Sequence, residues 1–552
     1  MKKFLATLLA AAMVFSLAAC GGKSEGGSGG ESSGAESGES QGGESESTEP
    51  SGGDGGDSSE MVSDLPALSE SELANATLKK QVVIGLNKDL VTLDPYASNN
   101  VEVSLLLRMT HSHLVKQDPR TYELQPDLAT DWEVTDEYID FTIRDDAKFH
   151  NGDPVTIEDI IYSFDVMKEN SYTSSKVSFI DHIEKIDDTH IRMHLAKNNQ
   201  DALRILAYFN VCIVSEKESK ADEANGRGIG SGPYKVAEWE LGSHTLLERF
   251  DDYFGEKPLT ESFLMKTQPE DSARVISIEN GETDICIAPP AQEVEHIASS
   301  DKSMVMAVTA NKLVYIAINQ NGNHKALADK KVRQAIAHAI NRENIIIAAK
   351  DGKAKLANTV ISPKTAYYNP DQEAMEYDPE LAKQLLSETD FADGFEMTIS
   401  FIDGTTYKTI AQLFQADLAA IGITVKVDPK DNSSMKTLMA EEKHEAIIYN
   451  WGPTPGEGPD ITFRSLFMGG SGSNRQILND EWVNETIEAA AVETDEAKRQ
   501  DLYYQLQEWM IDNAGFLPMY YEILYMGVNK NLHNFNIEPS EQHTFTYCYV
   551  TE

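Results

Sequence analysis

Leu313-Val314-Tyr315-Ile316-Ala317-Ile318, followed by Val332, Ala335, Ile336, Ala339 and Ile340, is the stretch that decides the fold. The first run is apolar enough to be a strand buried on both faces. The second set recurs at helical spacing and makes one apolar face of a helix. The same alternation extends in both directions. Gln81-Val82-Val83-Ile84-Gly85-Leu86 opens a strand, and Asp140-Phe141-Thr142-Ile143-Arg144 alternates as a half-exposed one. Thr156 stands three residues ahead of Asp159, a capping pair followed by Ile160, Ile161 and Phe164. Asp378-Pro379 starts another helix with Leu381, Ala382, Leu385 and Leu386 on one side. Strands interleaved with amphipathic helices predict mixed α/β architecture.

The body from Lys79 to Glu552 exceeds the size at which one core stops growing, so at least two lobes are expected. No Pro/Gly/Ser linker interrupts it, which predicts short packed crossings between lobes and a geometry suited to hinge motion. Ahead of the body, Lys2 and Lys3 precede an apolar run from Phe4 to Ala19 that reads as a secretory signal, 1–19. Leu17-Ala18-Ala19-Cys20 resembles a bacterial lipobox and makes Cys20 the expected lipidation site. The Gly, Ser and Glu run 21–60 cannot bury enough surface to offset its chain entropy. Residues 20–78 are therefore expected to be a disordered tether between a lipid and the body.

The net charge of −43 argues against nucleic acid as a partner, because no Lys/Arg cluster offsets the repulsion of a polyanion. Three cysteines remain besides Cys20, too few to pair completely. Cys212 and Cys286 sit in apolar runs and read as buried thiols. The familiar catalytic and phosphate-binding arrangements (H-E-x-x-H, G-x-S-x-G, the P-loop, G-x-G-x-x-G after a strand) are absent from the sequence. In Gly226-Arg227-Gly228-Ile229-Gly230-Ser231-Gly232-Pro233 the proline ends any nascent helix, so a tight turn between lobes or strands is expected. His111 and His113 have strand-like i, i+2 spacing, but without a third ligand nearby they read as packing or surface residues. No metal, cofactor or catalytic residue is expected.

A series of landmarks then carries a resemblance. In order they are Leu124-Gln125-Pro126-Asp127-Leu128-Ala129 with Trp132, Lys148-Phe149-His150-Asn151-Gly152-Asp153-Pro154, Gly230-Ser231-Gly232-Pro233-Tyr234, Val332-Arg333-Gln334-Ala335-Ile336 and Gln415-Ala416-Asp417-Leu418. The chain resembles the bacterial extracellular solute-binding proteins of family 5, which include the dipeptide- and oligopeptide-binding lipoproteins of ABC importers. The resemblance implies a two-lobed periplasmic-binding-protein-like fold (type II, large cluster C form) with a hinge and an interlobe ligand cleft. Lobe one is expected at 79–310 with 523–552 returning to it, and lobe two at 311–522.

The implied function is capture of a peptide outside the cytoplasmic membrane and its delivery to ABC permease subunits. The protein would be a lipid-anchored monomer on the outer face of that membrane, on a Gram-positive cell surface. The alternatives are a non-peptide solute such as an oligosaccharide or metal chelate, a surface nutrient sensor, or a secreted hydrolase with an unrecognised site. Trp451 is the expected apolar wall, with Asn450, Thr454, Asn474, Arg475 and Tyr407 as polar contacts from lobe two and Tyr96 and Asn99 facing them from lobe one. In peptide-binding members an acid just after a tryptophan pairs with the peptide's α-amino group; here the neighbourhood of Thr454 departs from that pattern, and Glu457 or Asp460 could substitute. The arginine that a dipeptide-binding relative uses for the peptide carboxylate has no clear counterpart in Phe401–Tyr407. Losing a desolvated charge partner costs about 2–5 kcal/mol, which favours larger peptides held through backbone hydrogen bonds.

Overall fold

The computed structural model describes residues 61–452 and 458–552. The expected signal sequence, Cys20 and the tether through residue 60 lie outside the described residues, as do Thr454 and Glu457. Eleven strands form one mixed sheet. In chain order they are β1 (Gln81–Leu86), β2 (Tyr234–Glu240), β3 (His244–Arg249), β4 (Ser262–Thr267), β5 (Ile285–Ile287), β6 (Ser303–Ile318), β7 (Ala354–Leu356), β8 (Glu396–Ile402), β9 (Thr424–Lys430), β10 (Ala446–Trp451) and β11 (Phe516–Asn529). The order across the sheet is β9-β8-β10-β6-β11-β5-β1-β4-β3-β2, with β7 added on β11. A separate antiparallel sheet is built from Ala129–Val134, Tyr138–Ile143, Ile180–Lys185 and His190–Leu195.

The long antiparallel pair β6 and β11 organises the molecule, with 16 and 14 residues respectively. Thr309 pairs with Ile523 and Leu313 with Tyr521, so Ala310, Asn311 and Lys312 stand opposite Glu522 alone. This bulge breaks the ladder and concentrates twist at one point of an otherwise regular ribbon. The apolar interior changes there too. Met306 and Val308 of β6 and Met526 and Val528 of β11 belong to a core shared with β1, β4, the separate sheet and the C-terminal Phe535 and Phe545.

Beyond the bulge the two faces of β6 divide between two further cores, as the two-residue period of a strand requires. Val314, Ile316 and Ile318 pack with Ile336, Ile410 and Phe414 on one face. Leu313, Tyr315 and Ala317 pack with Ile487, Tyr503 and Met510 on the other. A strand covered on both faces must be apolar throughout, which is why 313–318 carries no polar residue except a tyrosine. Because the sheet runs unbroken through β6 and β11, residues 59–552 remain one body by backbone contacts even though the cores part.

Local chemistry follows the sequence closely at several points. Thr156 and Asp159 form the reciprocal capping box, Asp378 caps its helix with Pro379 in the first turn, and Tyr138–Ile143 alternates half-buried with buried. Two expectations are corrected. Residues 61–78 are not a free tether: Asp64–Leu65 pairs with Phe535–Asn536, and a helix at Glu70–Leu73 is capped by Ser69. The hydrogen-bonding capacity of the backbone and the half-buried Leu65 hold this segment against the first core.

The Gly226–Pro233 run does not lie between lobes. It packs within the first core on the end of the helix α1 (Val101–Thr110), where a Cβ on Gly230 would fall 1.9 Å from the Thr110 carbonyl oxygen. Glycine is needed there for approach, not for an unusual backbone angle. His150 locks the same loop, its Nε2 donating to the Gly232 carbonyl at 3.0 Å and its ring meeting Phe250 edge-on. Cys212, Cys286 and Cys548 are free and buried. His111 and His113 are buried as well, each Nε2 donating to a carbonyl, of Arg227 at 2.9 Å and Phe209 at 3.2 Å.

Candidate functional site

Two groups of residues lie where the cores meet. The first surrounds the bulge. Lys312 reaches Glu522 at 3.3 Å, and Lys350 approaches the same carboxylate at 3.7 Å. The Asn311 amide donates to the Pro539 carbonyl at 2.8 Å, joining the bulge to the C-terminal segment. That segment carries Glu541 at φ 69°, a left-handed backbone for a non-glycine residue, and burial pushes its carboxyl up. At the end of β10, Asn450 donates to the Tyr407 hydroxyl at 2.7 Å, and Trp451 Nε1 donates to Thr462 Oγ1 at 3.1 Å. Gly452 follows, close against the Lys312 backbone.

The second group lines a cavity of about 540 Å³, within the usual range for small-molecule sites. One wall is the helix α2 (Ala202–Leu206) with Ser175–Phe179 and Lys197–Asp201, from the first core. The other is the start of α3 (Pro459–Leu466) and the end of α4 (Glu481–Val492), from the far side of the bulge. Gly458 and Pro459 begin α3 because proline suits the first helical position and glycine must admit a neighbour. A Cβ on Gly458 would lie 2.8 Å from Asp201 Oδ2.

Asp460 sits in the first turn of α3, where a carboxylate is favoured by the helix dipole. Its Oδ2 accepts from Arg464 Nε at 2.7 Å, and Arg464 spends its other nitrogens on Glu488 at 2.6 and 2.9 Å. Burial pushes the Asp460 carboxyl up, Arg464 opposes that, and Asp201 adds to it. Burial raises Asp201 likewise, against the pull of Arg499 and Arg204.

The structure places the expected site residues unevenly. Asn450, Tyr407 and Trp451 come together at the end of β10. Arg475 is half-buried nearby, its guanidinium 5.8 Å from the Tyr449 ring centre and donating to the Gly472 carbonyl. Asn474 is corrected: it is buried, and its amide nitrogen donates to the Phe467, Met468 and Leu478 carbonyls while its oxygen accepts from the Leu478 amide. It braces a loop and has nothing left for a guest. Tyr96 is corrected as well, being 0% exposed in the first core with its hydroxyl on the Cys212 carbonyl at 2.7 Å. Asn99 is exposed but accepts from Asn210 at 2.8 Å, and among the described residues no hydrogen bond links it to the Tyr407 group.

Asp201, Arg204 and Arg464 were missed by sequence reasoning. The one usable signal was Asp460, whose place after the Trp451 segment marked it as a possible substitute.

The family model of bacterial extracellular solute-binding proteins, family 5, matches residues 123–474. The dipeptide-binding protein of Escherichia coli K12 is 25% identical over 472 residues, covering 79% of this chain and 88% of its own length. Among solved structures, HbpA2 of Haemophilus parasuis superposes with a TM-score of 0.79 at 23% identity, covering 86% of this chain and 100% of that one. NikA of Brucella suis, solved in complex with Fe(III)-EDTA, gives 0.75 at 23% identity, with 86% and 100% coverage. The structural likenesses establish the two-lobed mixed α/β fold, and the matched family model covers more than half of the sequence. The chain belongs to the bacterial extracellular solute-binding proteins of family 5.

Proposed function

We propose that the protein captures a di- or oligopeptide outside the cytoplasmic membrane and delivers it to the permease of an ABC importer, with no bond in the guest made or cut. Lobe one is 79–310 with 523–552, and lobe two is 311–522. They close by flexing the β6/β11 ribbon at Ala310–Lys312. The observation that carries the reading is the coincidence of three features: the cores part at the bulge, the ladder breaks there, and a cavity is lined from both sides. A ligand favours closure by the difference in its affinity for the two states, and the closed form is what a permease can select. A lipid on Cys20 would hold a monomer at the outer face of the membrane. Among the described residues no helix is long and apolar enough to cross a membrane.

A second reading, capture of a non-peptide solute such as a metal chelate, is favoured by the NikA structure, whose similar fold is occupied by Fe(III)-EDTA. Native mass spectrometry of the purified protein, followed by thermal melting with whatever co-purifies, tests the proposal. A ligand of the folded state raises the melting temperature with the logarithm of its concentration. Melting temperatures unmoved by any peptide of two to ten residues would retire the peptide reading.

A further inference from the structure

We infer that the cavity between α2 and α3 holds a zwitterionic solute, with its ammonium group between Asp201 and Asp460 and its carboxylate on Arg204. This rests on the capture reading and names the chemistry of its guest.

The argument is one of incomplete pairing. The Asp201 carboxylate lines the cavity and makes no hydrogen bond or ion pair with any described residue. Asp460 has one oxygen on Arg464, while its Oδ1 is enclosed without a partner. The two side chains come from opposite walls and act on each other electrostatically. Behind them the Tyr503 hydroxyl, on a side chain 0% exposed, is also without a partner and is raised by both carboxylates. A half-desolvated anion without a counter-charge is costly, and a buried polar atom without a partner costs more than a satisfied one gains. A cation placed between Asp201 and Asp460 would satisfy both.

The nearby cations cannot all do this from within. Arg464 is already shared between Asp460 and Glu488. Arg499 donates to the Ala490 carbonyl and lies over Tyr367 and Tyr503. Arg204, one turn along from Asp201, lines the same cavity, and its guanidinium finds no acceptor among the described residues. An anion acceptor and a cation acceptor on one wall, with apolar Phe179, Ile205, Ile461 and Val492 around them, match a guest that carries both charges on a short apolar frame.

The test uses the full chain and three equimolar dipeptide pools: free termini, N-acetylated, and C-amidated. Binding is read by native mass spectrometry and calorimetry, on wild type and on Asp201→Asn and Arg204→Gln. Neither side chain has a partner to lose, so both variants should fold and melt normally without ligand. The expected result is binding of the free pool, at least tenfold weaker binding of each blocked pool, and a similar loss in each variant. Equal binding of blocked and free peptides, or wild-type binding by both variants, overturns the inference and leaves capture standing. A co-purified solute lacking an amine does the same. Absence of binding by all three pools overturns the inference together with the peptide reading.

Discussion

Asn474 and Tyr407 show how a polar side chain in the same region serves different ends. Replacing Asn474 by alanine strands three carbonyls and an amide in a buried loop, which should cost about 2–3 kcal/mol in urea unfolding while leaving ligand affinity of the folded protein unchanged. Replacing Tyr407 by phenylalanine removes only the acceptor of one half-buried amide, a loss of about 1 kcal/mol by the same measurement. At Gly230 a methyl group meets a backbone carbonyl, not a movable side chain, so alanine there should lower stability by about 3 kcal/mol. Residue type was legible at these positions but direction was not. Asn474 and Arg475 are neighbours on one loop, and one turns inward to brace it while the other stays at its surface. Tyr96 was read as a contact for its hydroxyl, whereas its apolar ring and a single carbonyl partner account for its burial.

The strands and helix starts were readable because each writes its own period or cap into consecutive residues. Leu313–Ile318 and the Thr156–Asp159 box needed no distant information. The bulge at Ala310–Lys312 did, since register is a relation between β6 and β11 and neither strand alone reports it. Its role can be tested at the same scale. Deleting Asn311 and Lys312 together removes two residues, so every later side chain of β6 keeps its face. The variant should retain wild-type circular dichroism and lose the ligand-driven change in shape. An unchanged shape response on ligand addition would show that the bulge is not the hinge.

Across the whole molecule, two lobes were foreseeable from length, but the cavity was not, because Asp201 and Asp460 are distant in sequence and the chain has 90 acidic residues among which to hide them. Their pairing has a consequence for pH. Burial raises the Asp201 carboxyl above its unfolded value of 3.8, with Arg204 on its own helix and Asp460, Arg464 and Arg499 opposite. A carboxylate so raised destabilises the folded state above its folded pKa, and the penalty disappears as pH falls towards the unfolded value. Asp201→Asn should therefore be more stable than wild type in urea at pH 7, by a margin that narrows towards pH 4.

The central claim is that two cores joined through one flexing ribbon clamp a guest. Small-angle X-ray scattering of the protein stripped of solute, and again when saturated with the solute that binds it, addresses that claim most directly. The account predicts a smaller radius of gyration in the saturated protein; identical scattering at full occupancy would contradict it.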